Sequence, residues 1–190
     1  MIKKLHALRA KKGFTLVELI VVIAIIGVLA AILVPTMMGM VTKSRVTSVD
    51  QTAGTIKSSV ETWMMSLDTE GGKVPSTAEL KIEVSGGNVT ITGADSFSRA
   101  NANASKDAKT LLEDQLKADY NFGTKTAHSV VHVADRKVVG VTYYEGAATS
   151  ETLPGVSDFT SAGIFAWGGS QDGILGDGTT VGTNPKLLKE

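Results

Sequence analysis

Lys11-Lys12-Gly13-Phe14-Thr15-Leu16-Val17-Glu18 opens a hydrophobic run that carries no further charge as far as Val41. Glu18 is therefore the one ionic group in a segment of membrane length. A carboxylate carried to the centre of a bilayer costs roughly 2.5–3.5 kcal/mol on insertion scales, so Glu18 requires a specific partner. Cleavage between Gly13 and Phe14 would create one. It frees an α-amine with an ordinary pKa of about 7.7–8.0, largely cationic at neutral pH, four residues from the acid.

Working outward, the leader holds Lys3, Lys4, Arg9, Lys11 and Lys12 and no acid. By the positive-inside rule this places the N-terminus in the cytoplasm and everything beyond Val41 outside. The whole chain has a formal charge of +0, so without its leader it is net acidic. Such a balance gives no reason to expect nucleic acid as a partner. Cysteine is absent, which excludes disulfides, thiol catalysis and a lipoprotein anchor, and leaves packing and association to stabilise an exported domain.

The basic leader, the glycine, the phenylalanine and Thr15-Leu16-Val17-Glu18 ahead of an apolar helix resemble the class III signal of type IV pilins and their relatives. The resemblance covers roughly the first 55 residues and implies several things. A prepilin peptidase cuts after Gly13 and methylates the new amine of Phe14. Glu18 helps dock each subunit into a homo-oligomeric or mixed filament. A cytoplasmic assembly ATPase and a membrane platform protein drive extraction from the bilayer. The chain would begin as a single-pass protein of the cytoplasmic membrane and end in an extracellular pilus, serving adhesion, twitching motility or secretion. The disulfide-closed C-terminal loop of many pilins cannot form here.

The division along the chain follows: a cleaved leader at 1–13, a transmembrane or filament-core half-helix at 14–41, an amphipathic half-helix at 42–67 and a β-rich head at 68–190. A continuous helix from Phe14 to Leu67 would be roughly 80 Å long, and a bilayer core needs only about 20 residues of it. In the outer half, Val46, Val49, Ala53, Ile56, Val60, Trp63 and Leu67 recur at spacings of three and four. Such a stripe suits the core of a packed domain or the seam of a coiled coil equally. Gly27 and Pro35 interrupt the membrane half, and the missing hydrogen bond at proline predicts a bend near 31–35.

Past Glu70-Gly71-Gly72, Lys81–Val84 and Asn88–Thr92 alternate around Ser85-Gly86-Gly87 and read as a hairpin. Residues 107–119 read as a short amphipathic helix with Leu111, Leu112 and Leu116 on one side. Residues 129–133 and 137–144 form a second hairpin across Ala134-Asp135-Arg136, and 164–167 a last strand. The fold class is α+β, a long N-terminal helix packed on an antiparallel head domain.

Chemistry-bearing patterns are sparse. His128 and His132, four apart on a strand, share a face but stand about 13 Å from each other, too far to ligate one metal together. They read as packing or surface residues. No catalytic triad, phosphate-binding glycine loop or zinc spacing occurs, so the chain is not an enzyme and needs no cofactor. Residues 166–180 look like one repeat of the β-propeller family named after the regulator of chromosome condensation, but a single repeat cannot close a propeller. Asp172 and Asp177 within it offer calcium-type oxygens without EF-hand spacing, and read best as part of a glycine-rich surface loop.

Two alternatives share these features. A pseudopilin of type II secretion or DNA uptake has the same N-terminal half. A secreted or membrane-tethered binding module would instead use Val28-Leu29-Ala30 as an ordinary signal-peptidase site and begin at Ala31.

Overall fold

The computed structural model describes residues 13–101, 105–120, 124–149, 151–161, 163–169 and 171–190. The basic residues assigned above to the leader, Lys3 to Lys12, lie outside the described residues, as does Ser170 of the glycine-rich tail. The chain divides into two compact units, one ending at Thr42 and the other beginning at Lys43.

Helix α1 spans Leu16–Thr69 and includes Pro35. Its end is set by two glycines. Gly71 takes φ 75°; its N–H donates to the Asp68 carbonyl at 3.0 Å, and the Gly72 N–H donates to the Leu67 carbonyl at 2.8 Å. These are the two bonds of a Schellman cap, which satisfies the last carbonyls of the helix.

The unit from Lys43 onward contains β1 (Thr77–Ser85), β2 (Asn88–Thr92), a 3-10 turn (Ala94–Ser96), α2 (Ala108–Asp119), β3 (Ala127–Ala134), β4 (Lys137–Glu145), α3 (Val156–Thr160), β5 (Ile164–Phe165), β6 (Val181–Asn184) and β7 (Leu188–Lys189). Five strands form one antiparallel sheet in the order β2-β1-β3-β4-β6. The two hairpins close on residues held at positive φ: Gly86 and Gly87, then Asp135 and Arg136. Two-residue turns of that hand match the twist of the flanking strands.

The apolar stripe of α1 is the domain core. Val46, Ala53, Ile56, Val60, Trp63 and Leu67 are buried, while Val49 is half-buried. All of them except Val46 pack with Leu80, Ile82 and Val84 of β1, Val131 of β3 and Val141 of β4. Alternation along β1 is clean, with Glu79, Lys81 and Glu83 exposed between those buried residues. Helix α2 is capped by Asp107, whose carboxylate accepts the Thr110 N–H at 2.7 Å, and it buries Ala108, Leu112 and Leu116. Polar links hold it against α1: the Trp63 indole N–H donates to the Ala108 carbonyl at 2.8 Å, and the Ser59 hydroxyl to Asp119 at 2.7 Å.

The fifth strand differs from the sequence reading. Residues 164–165 pair with β7 in a separate two-stranded parallel ribbon, and β6, within the glycine-rich tail, completes the main sheet. Gly182 makes this possible. A side chain there would run into the Val49 backbone, whereas glycine lets β6 lie against α1, where the Thr183 N–H donates to Asp50 Oδ1 at 2.9 Å. The tail is also less bland than a surface loop. Trp167, Leu175, Val181 and Leu187 form a second small core with Tyr144, packed by Phe159 and Phe165. Strand β4 is consequently buried on both faces over most of its length.

Candidate assembly site at the start of the helix

Gly13 and Phe14 precede α1 in an exposed stretch, with Phe14 87% accessible. Among the described residues, its chain neighbours aside, no atom lies within 4 Å of the Gly13 Cβ position. Every residue from Leu16 to Val41 is exposed, including Ile25, Leu29 and Met40. The segment is long and apolar enough to cross a bilayer. Among the described residues of its own unit, no apolar residue is buried.

Glu18 occupies the first turn, where its carboxylate accepts the Thr15 N–H at 2.8 Å and the Thr15 hydroxyl at 2.7 Å. In return the Glu18 N–H donates to Thr15 Oγ1 at 3.2 Å. Thr15 thus caps the helix, its carbonyl already accepting from Leu19. This reciprocal capping box satisfies free N–H groups and sets the carboxylate at the positive end of the helix dipole. The Thr-x-x-Glu spacing was a readable signal for it. Gly27 and Pro35 both lie inside α1, and among the described residues no atom beyond the adjoining helix backbone comes within 4 Å of the Gly27 Cβ position.

The remaining candidates fall elsewhere. Asp177 accepts the Thr179 N–H at 2.8 Å and the Thr149 hydroxyl at 2.7 Å, bonds that hold its carboxyl below the usual range. Asp172 accepts the Lys189 N–H at 2.6 Å. Both acids are thus employed in fixing loops, and among the described residues no three of His, Asp and Glu gather into a metal-sized cluster. His128 stacks on Tyr144 with ring centroids 5.0 Å apart, and His132 is buried.

Residues 8–34 match the family described as a prokaryotic N-terminal methylation motif. Among curated proteins, the chain is similar to the type IV major fimbrial protein FimA of Dichelobacter nodosus, 43% identical over 63 residues, covering 33% of this chain and 39% of that protein. It is 34% identical to the type IV major alpha-pilin of Moraxella bovis over 96 residues, 50% of this chain and 57% of that protein. With the type IV narrow pilus major component PilA5 of Thermus thermophilus it shares 33% identity over 103 residues, 53% of this chain and 85% of that protein. It therefore spans only a minor part of FimA and most of PilA5. No solved structure matches the chain significantly. A methylation motif leading into an exposed apolar helix, an α+β head and a match over most of PilA5 agree: the chain belongs to the type IV pilin family.

Proposed function

We propose that this chain is a structural subunit of a type IV pilus, made as a membrane-spanning precursor and matured between Gly13 and Phe14. The observation that carries the reading is the methylation motif at 8–34 joined to a helix half that is apolar and exposed throughout. An unpartnered apolar surface of that length needs lipid or other helices around it. Subunits leave the bilayer by exchanging one for the other. Since lipid is as apolar as leucine, the exchange is driven by close packing at small residues such as Ala24, Gly27, Ala30 and Ala31. Glu18 supplies an ion pair to the freed Phe14 amine, and Gly27 and Pro35 mark where the helix adapts in the fibre. The partners are a prepilin peptidase, an assembly ATPase and a platform protein. The relatives named above are major pilus components, which favours that role over a secretion pseudopilin.

The N-terminal residue of the protein from its own host tests this. Mass spectrometry should find a chain beginning at Phe14 with one added methyl group. A chain beginning at Ala31 would refute the proposal, as would an uncut Met1 chain in cells with active prepilin peptidase.

A further inference from the structure

The outer face of the sheet, turned away from α1, has a cavity of about 360 Å³. Its floor is made by Glu79, Lys81 and Glu83 of β1 and His128 and His132 of β3, and its rim includes Glu151 and Pro154. Glu79 and His132 are direct cross-strand partners. His132 is 3% exposed. Its Nε2 lies 3.1 Å from the Pro154 carbonyl, a contact that a ring N–H satisfies; in the neutral ring Nδ1 then keeps its lone pair. That Nδ1 is buried without a hydrogen-bond partner among the described residues. It faces Glu79 Oε2 at 3.7 Å.

A lone pair set opposite a carboxylate oxygen repels it unless a proton or a metal cation lies between them. We propose that His132 Nδ1 and Glu79 Oε2 bind a divalent transition-metal ion of the zinc type, with water completing its coordination. Imidazole nitrogen bonds zinc at about 2.0–2.1 Å and carboxylate oxygen at about 2.0–2.2 Å. Donors 3.4 Å apart give roughly the tetrahedral angle and about 4.2 Å is the limit, so 3.7 Å lies inside the permitted span. The other ring nitrogen donates to a backbone carbonyl, the arrangement that fixes the tautomer of metal-bound histidines. Lys81 Nζ lies 3.3 Å from Glu79 Oε1, which leaves Oε2 for the metal. Among the described residues that line the cavity, three carboxylates, Glu79, Glu83 and Glu151, stand against the single ammonium of Lys81, so its field favours a cation. His128 is too distant along β3 to join the site.

Calorimetric titration of the untagged full chain in detergent micelles with zinc chloride tests the assignment. One ion should bind. Glu79→Gln should lower the affinity about tenfold or more, since even supporting residues of metal sites cost 10–100-fold. His132→Gln should do the same, and His128→Gln should change nothing. Because His132 is buried, Glu79→Gln on its exposed side chain is the deciding variant. Absence of zinc binding by the wild-type chain overturns the proposal and leaves a proton or water between the pair. Wild-type affinity in Glu79→Gln, or loss of binding only in His128→Gln, marks adventitious binding and overturns it equally.

Discussion

Replacing Ile56 by alanine tests whether the stripe on α1 is a domain core. Ile56 is 1% exposed and packs in the cluster that joins α1 to β1, β3 and α2. Truncating a buried isoleucine to alanine costs about 2–5 kcal/mol, through lost transfer energy and the cavity left behind. For a domain of about 150–250 residues each kcal/mol lowers Tm by roughly 2–4 °C. Combining the two, the head should melt about 4–20 °C lower. Tryptophan fluorescence in detergent micelles reads this without interference from the apolar half-helix. The chain has 2 tryptophans, and Trp63 and Trp167 are both buried, one in each core of the unit beginning at Lys43. Met65→Ala is the control, since Met65 is 70% exposed on the same helix and surface changes stay within about 0.5 kcal/mol. If Ile56→Ala melts with Met65→Ala and the wild type, the stripe is an intersubunit seam and the packing argument fails.

Glu18→Gln separates the two roles available to this acid: glutamine can still cap Thr15 but has no charge for the Phe14 amine. If the ion pair drives docking, the variant stays inserted and is cleaved, yet pilus yield falls as far as in Glu18→Ala; normal yield by electron microscopy would leave capping as the only role. Asp50 shows the opposite sign from an ordinary surface acid, since burial raises its carboxyl above the usual value despite the Thr183 N–H and Lys186. Its charged form therefore costs stability at neutral pH, a cost that fades as pH falls through the raised folded value towards the unfolded value of about 3.9. Asp50→Asn keeps an acceptor for Thr183. It should melt at or above the wild type at pH 7, and the advantage should shrink by pH 4; a clearly lower melting temperature at pH 7 would show that the weak pairing with Lys186, 3.8 Å away, outweighs burial.

What the sequence determined by itself are the features whose cause lies within a few residues. The charge-free run after Glu18 and its length identify a membrane-scale helix, and the Thr15–Glu18 spacing already carries the capping box. The period of Val46 to Leu67, the glycine stop at 71–72, the Gly86-Gly87 hairpin and the Asp107 start of α2 are equally local, because hydrogen bonds one helical turn or one tight turn apart set them. Which surface covers the stripe depends on long-range packing, since a sheet and a second helix demand the same spacing. That packing also decided that β6 rather than residues 164–165 completes the sheet. Alternation marks a strand only when one face is buried, and β6, four residues long with Gly182 against α1 and Val181 in the second core, is covered on both. The pairing of His132 with Glu79 lies deeper still. Spacing along β3 compares the histidines with each other, whereas Glu79 comes from β1, some fifty residues earlier, through a register that strand pairing alone establishes.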